Sequence, residues 1–313
     1  MLLKKKESAK RKKSIDTAEH YQLYMLAAIP MLLVFVFSYL PMGGIIIAFK
    51  DYRYNTGIFG SEWVGLRNFK FFFESKDFLN ITKNTLTLNS IFIIAGMISA
   101  ILIAVLLFEV SKRNLTKLYQ TIMITPNFIS WVVASYMVYA LLNPEFGLLN
   151  AVLKSMGMES IDWYSKPNAW PMILTIAFVW KNVGMDSIMY YAALMGISSE
   201  MLEAAEIDGA GKVKQLWYIV LPSIKTLIVI LTILKIGNIF RADFGLFYQL
   251  TRDSGALYST TDVMDTYIFR TMRVMNNMGM SAAAGLLQSA VGFVLVVLVN
   301  YIAKKIDPET GLF

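Results

Sequence analysis

Long runs of apolar residues, interrupted by short polar punctuation, dominate this chain and define its predicted elements. Crossing about 30 Å of hydrocarbon takes roughly 20 residues of helix, and runs of that length occur near 23–49, 86–108, 119–142, 170–194, 224–246 and 281–303. The reading is an all-α integral membrane protein of six helices, flanked by a basic tail at 1–22 and a short tail at 304–313. A polar hairpin at 199–220 lies between the fourth and fifth runs. Ser198 and Ser199 are N-cap candidates, and Glu200 and Glu203 place negative charge at the start of a helix expected to end near Asp208. Gly209-Ala210-Gly211 supplies residues that tolerate positive φ, and Lys212 opens a second amphipathic segment carrying Val213, Leu216, Trp217 and Val220 toward Pro222.

Composition fits that pattern. Hydrophobic residues make up 56% and charged residues only 16% of the 313, outside the range of soluble domains. Lys4, Lys5, Lys6, Lys10, Arg11, Lys12 and Lys13, then Lys112, Arg113 and Lys117, then Lys304 and Lys305 fall on one side of a six-span topology together with the hairpin. By the positive-inside rule that side is the cytoplasm, and both termini lie there. The run beginning at Leu23 is too long for a secretory signal and contains Pro30 and Pro41, so it reads as a retained helix. The net charge of +7 reflects these anchors, which also suit anionic lipid, and does not indicate a nucleic-acid partner.

With no cysteine and one histidine, His20, the chain has no disulfide framework, thiolate metal site, Cys nucleophile or Ser-His triad. Gly209-Ala210-Gly211-Lys212 lacks the first glycine of a phosphate loop, and Val213 stands where Ser or Thr is required. The chain is therefore expected to be non-catalytic and to bind neither ATP nor metal.

The hairpin's spelling resembles the cytoplasmic EAA loop in membrane subunits of binding-protein-dependent ABC importers, at Glu203-Ala204-Ala205, at Gly209 within Asp208-Gly209-Ala210, and at Leu221-Pro222. Further likeness to carbohydrate-uptake permeases runs from about residue 80 to the C-terminus. It includes Pro126, Gly147-Leu148-Leu149-Asn150, Trp180, Gly184, Ala192-Ala193-Leu194, Gly196-Ile197 and Ala284-Gly285-Leu286-Leu287-Gln288-Ser289. Asn300 and Lys304-Lys305-Ile306 resemble the oligosaccharide branch and permeases for polysaccharide-derived sugars. Two departures are Ser199, where the family often has Pro, and Gly211, where it often has Ser or Thr.

The resemblance implies a type I ABC importer transmembrane domain working by alternating access in the bacterial cytoplasmic membrane. It also implies a coupling helix at the hairpin, a second permease, two ATPase subunits that bind ATP and Mg, and an extracytoplasmic solute-binding protein. No loop is long enough for the large extracytoplasmic domain of some maltose-type partners, so the loops near 49–85, 143–169 and 247–280 are expected to meet the binding protein.

Ionisable residues inside the bilayer cost about 2.5–3.5 kcal/mol each on insertion scales and therefore face protein or a watery path. Lys181, Asn182, Asp186, Lys235, Asn238 and Gln288, with Trp180 as a stacking ring, are the expected substrate path; the bland alternative is that they join helices. Two lysines against one aspartate raise the possibility of an acidic oligosaccharide. A peptide or amino-acid permease, or an ion-coupled secondary transporter using Asp186, is the competing reading.

Overall fold

A computed structural model describes residues 20–75, 77–110 and 112–306. The basic N-terminal tail through residue 19, and residues 307–313 of the expected C-terminal tail, lie outside the described residues. Thirteen of the helices among the described residues position the site: α1 (His20–Phe49), α2 (Arg67–Glu74), α3 (Asp77–Phe108), α4 (Arg113–Phe128), α5 (Trp131–Leu142), α6 (Leu148–Ser155), α7 (Trp170–Leu194), α8 (Ser199–Ile207), α9 (Lys212–Ser223), α10 (Lys225–Gly237), α11 (Phe244–Thr251), α12 (Met264–Arg273) and α13 (Met278–Ile306). The all-helical expectation has one small exception. Lys50–Asp51 (β1) and Glu62–Trp63 (β2) pair antiparallel, Lys50 opposite Trp63, and close the loop after α1.

Among the described residues, four helices are long and apolar enough to cross a membrane unaided, and two bent pairs raise the number to as many as six. The run expected as one span at 119–142 is broken: α4 and α5 meet at 97°. The run at 224–246 starts at a 60° bend between α9 and α10 and is interrupted by the end of α10 at Gly237, after which α11 starts afresh at Phe244. Within α1, Pro41 cannot donate an N–H to the preceding turn, and hydrogen bonding shifts to a π turn at Phe35–Tyr39 and then a 3-10 stretch at Leu40–Phe49.

Helix α3 starts nine residues before the expected position 86, at Asp77. Its first turns are polar because they face protein rather than lipid. Asn80 donates to the Tyr258 carbonyl at 3.0 Å, Asn84 to that of Asp262 at 3.1 Å, and Asn89 to that of Ile239 at 2.7 Å. Lower on α3, Gly96, Ala100 and Ala104 recur every four residues, a small-residue stripe that admits a neighbouring helix closely, and α3 packs along α7 more extensively than any other pair. Phe178 of α7 lies parallel to Phe92 at 4.7 Å. Gly184 brings α7 onto α4: a Cβ there would land on the Met123 carbonyl.

Three buried clusters tie these helices together. Leu88, Phe92, Trp170, Leu174, Leu246 and Leu250 join α3, α7 and α11. Ala100, Ala104, Tyr190, Leu194, Val220 and Ile224 anchor the roots of the hairpin. Phe72, Ile81, Met264, Tyr267 and Ala284 seat α2, α12 and α13 around the start of α3.

Candidate functional site

The hairpin folds as helix, turn, helix, and its turn is closed locally. Ala210 N–H donates to the Ala205 carbonyl at 2.9 Å and Gly209 N–H to that of Glu206 at 3.0 Å, the paired bonds of a Schellman motif. Gly209 occupies the left-handed position at φ 79°, and a Cβ there would meet nothing within 4 Å. Glycine is required here by backbone conformation, not by space. The helix ends one residue earlier than expected, with Asp208 as its cap. Ser198 holds the N-cap place without a side-chain bond, so that expected cap is not made, and only Glu200 of the two glutamates lies in the first turn.

Within the hairpin, buried Gln215 donates to the Ala210 carbonyl at 3.0 Å. Two contacts hold it to the rest of the fold: Lys212 pairs with Glu109 beyond the end of α3 at 3.2 Å, and Val220 enters the core. A cleft of about 200 Å3 opens between Phe108, Glu109, Leu202 and Leu216. The outer surface is the reverse of a solvated loop. Ile207 is 87% exposed and Tyr218 80%, with Val213 and Trp217 of the amphipathic segment also exposed. Glu203, Ala204, Ala205, Asp208, Gly209, Leu221 and Pro222 all lie in this segment. Pro222 sits just after a π turn at Leu216–Val220, where its missing N–H contributes to the bend before α10.

The expected path residues separate into three places. Lys181, 9% exposed, points into the break between α4 and α5, where its ammonium donates to the carbonyls of Asn127 at 2.9 Å, Pro126 at 3.3 Å and Ile129. All three ammonium donors are committed, and the charge also stands 5.2 Å over the Trp131 ring. Lys181 thus supplies partners to backbone oxygens at the bend. Asn182 donates to the Phe178 carbonyl at 2.9 Å beside Asn127, and Trp180 lines an apolar cavity of about 380 Å3 with Met137, Leu141 and Ile176. Asp186 and Lys235 form an ion pair of 2.6 Å between α7 and α10, the helices on either side of the hairpin.

Asn238 and Gln288 do converge, in a cleft of about 580 Å3 among α10, α11, α12 and α13. The carbonyls and amides freed between Gly237 and Phe244 are met from two sides. Gln288 donates to the Phe240 carbonyl at 2.6 Å and to the Asp265 carboxylate at 2.9 Å, and Asp265 accepts the Ala242 N–H at 2.7 Å. Burial raises the Asp265 carboxyl pKa, against hydrogen bonds from Ala242 and Gln288 that lower it. Arg241, Asn238 and Ser289 supply further polar lining, and Phe240, Phe244, Phe269 and Phe293 supply rings. Sequence reasoning missed Arg241 and Asp265. The signal available was a Gly237-Asn238 stop followed by Asp243, which caps α11 by accepting from Leu246 N–H at 3.2 Å. Asp243 also accepts the Trp131 indole N–H at 2.6 Å, joining this break to the one filled by Lys181. Among the described residues, no group of three or more His, Cys, Asp or Glu is arranged to hold a metal ion.

Comparison with known proteins agrees with this architecture. Residues 92–308 match the family described as binding-protein-dependent transport system inner membrane component. Protein LplB of Bacillus subtilis (strain 168) is 36% identical over 93% of this chain and 91% of its own. The polygalacturonan/rhamnogalacturonan transport system permease protein YteP of the same organism is 35% identical over 97% of this chain and 94% of its own. Among solved structures, a chain of a bacterial ABC transporter involved in the import of the acidic polysaccharide alginate superposes with a TM-score of 0.84. It is 30% identical, over 93% of this chain and 98% of that one. A second structure, of the bacterial alginate ABC transporter in complex with an alginate pentasaccharide-bound periplasmic protein, gives 0.83 at 30% identity, over 93% of this chain and 96% of that one. The exposed glycine-closed hairpin, the broken spans and these matches lead to one conclusion: the chain belongs to the family of binding-protein-dependent transport system inner membrane components.

Proposed function

We propose that this chain is the permease subunit of an ATP-driven importer of acidic oligosaccharides, working by alternating access with its termini and hairpin in the cytoplasm. The observation that carries the reading is the hairpin: a rigid turn with four large apolar side chains held outward is a docking surface, not a solvated loop. It docks on one of two ATPase subunits, which bind ATP and Mg and whose closure the hairpin passes to α7 and α10 as a rigid-body rotation. A second, homologous permease completes the pore, and an extracytoplasmic binding protein delivers the solute.

The likeness to YteP and to the alginate importer supports an acidic oligosaccharide as cargo. So does the cleft chemistry, in which Arg241 offers a forked donor suited to carboxylates and four phenylalanines offer faces suited to sugar rings. Of the expected path residues, Asn238 and Gln288 line this cleft, while Lys181, Asn182, Trp180, Asp186 and Lys235 serve the framework around it.

Reconstitution with both permeases, the ATPases and the binding protein tests the proposal. Binding protein loaded with trigalacturonate should stimulate ATP hydrolysis more than unloaded protein does. Stimulation by a peptide-loaded binding protein, with none by any oligosaccharide, would overturn it.

A further inference from the structure

Two turns along α11 from the inner cleft lies a second cavity with matching chemistry. Phe244, Tyr248 and Arg252 follow at four-residue spacing and share one side of the helix and its cap. Phe244 lines the inner cleft, whereas Tyr248, Gln249, Arg252 and Asp253 line a cavity of about 190 Å3 with Tyr136 and Tyr139 of α5. The rings are continuous between the two: Phe244 stacks on Tyr248 at 4.9 Å, and Phe269 touches both, at 4.9 and 5.1 Å. An aromatic wall therefore connects the cavities.

Arg252 is held in an unusual way. Its backbone is left-handed at φ 57°, a conformation that strains an L-residue and usually selects Gly or Asn. Its guanidinium lies over the Tyr139 ring at 4.2 Å, and among the described residues no carboxylate comes within ion-pair distance of it. Neighbouring Asp253 turns its carboxylate to the Tyr258 hydroxyl at 2.9 Å and Arg270 at 3.9 Å. Stacking on a ring fixes the guanidinium plane yet leaves the in-plane N–H fork open, the arrangement that takes a carboxylate bidentately. The cavity is smaller than the roughly 300–1,000 Å3 that encloses a drug-sized ligand, and suits a single sugar ring.

We propose that this cavity is an outer subsite for one uronate ring of the entering oligosaccharide, with Arg252 on the carboxylate and Tyr136, Tyr139 and Tyr248 around the ring. The proposal rests on the acidic-oligosaccharide reading above.

The chain has no cysteine, so single reporters are clean. In the full complex in nanodiscs, Gln249→Cys or Val132→Cys reports the outer cavity and Ser289→Cys the inner cleft; thiol labelling of this chain is read by mass spectrometry. Trigalacturonate should slow labelling at both sites and neutral maltotriose at neither. Adding Arg252→Gln should weaken outer protection by about tenfold, the worth of one charge-assisted bond, and leave inner protection, which also certifies folding. Protection at Ser289→Cys alone, or outer protection unmoved by Arg252→Gln, would overturn the subsite and leave the import reading standing. Protection at neither site would remove both.

Discussion

Replacing Lys181 with methionine separates a framework role from a transport role. In the wild type, the ammonium serves three carbonyls at the 97° break between α4 and α5. Methionine keeps the length and apolar stem but removes the donor from the Asn127 and Ile129 carbonyls, while that of Pro126 still accepts the Ile129 N–H at 3.2 Å. Each unsatisfied buried acceptor costs about 1–3 kcal/mol, which over two gives a ceiling of ~6 kcal/mol. The ceiling is not reached, because the variant no longer has to desolvate an ammonium, itself several kcal/mol in an interior. A net loss of about 2–4 kcal/mol remains, and at ~2–4 °C per kcal/mol the unfolding midpoint of the purified complex should fall by about 4–16 °C. Lys181→Gln, which retains an amide donor pair, should recover part of this. Trigalacturonate protection of a Ser289→Cys reporter should persist below the unfolding temperature. A methionine variant as stable as wild type but unable to bind the sugar would refute the framework role.

Other outcomes follow from the same geometry. Asp186→Asn or Lys235→Met should uncouple solute-stimulated from basal ATP hydrolysis, and the exchange Asp186→Lys with Lys235→Asp should restore coupling; additive effects in that double-mutant cycle would show that the 2.6 Å pair does not act as a unit. Gly184→Ala should sharply lower the yield of folded chain, measured by gel-filtration recovery, because its new Cβ meets the backbone of α4. Asp265 has a folded-state pKa raised by burial above the ordinary 3.8, so the unfolded chain releases that proton first and stability falls as pH rises from 3.8 through the raised value. Asp265→Asn should flatten that portion of the unfolding-midpoint profile, and an unchanged slope would exclude Asp265 as its source.

What the sequence made legible was local or repetitive. Apolar runs announce helices that cross lipid, and Gly209 announces a left-handed turn because φ is a property of one residue. The breaks were not legible, since 119–142 reads as one apolar run; only Pro126 and the N-cap Ser130, whose hydroxyl accepts from Val133 N–H, hinted at the bend. The partners of Lys181 were not legible for a related reason. Depth along a helix tells where a charge lies but not which direction it faces, and its partners are 52 to 55 residues away in the chain. Asn80, Asn84 and Asn89 likewise moved the start of α3 outward, because a polar turn can be buried against carbonyls from residues 239–262 that no local pattern reveals.

The central claim is that the hairpin at 199–220 meets a cytoplasmic ATPase. An Ile207→Cys variant, at the most exposed apolar position of that turn, tests it directly through cross-linking and labelling in intact cells. The account predicts a cross-link to an ATPase subunit, lost when Gly209→Val deforms the turn, and no reaction with membrane-impermeant thiol reagents added outside. Labelling from outside, or an ATPase that still cross-links and co-purifies with the Gly209→Val chain, would contradict it.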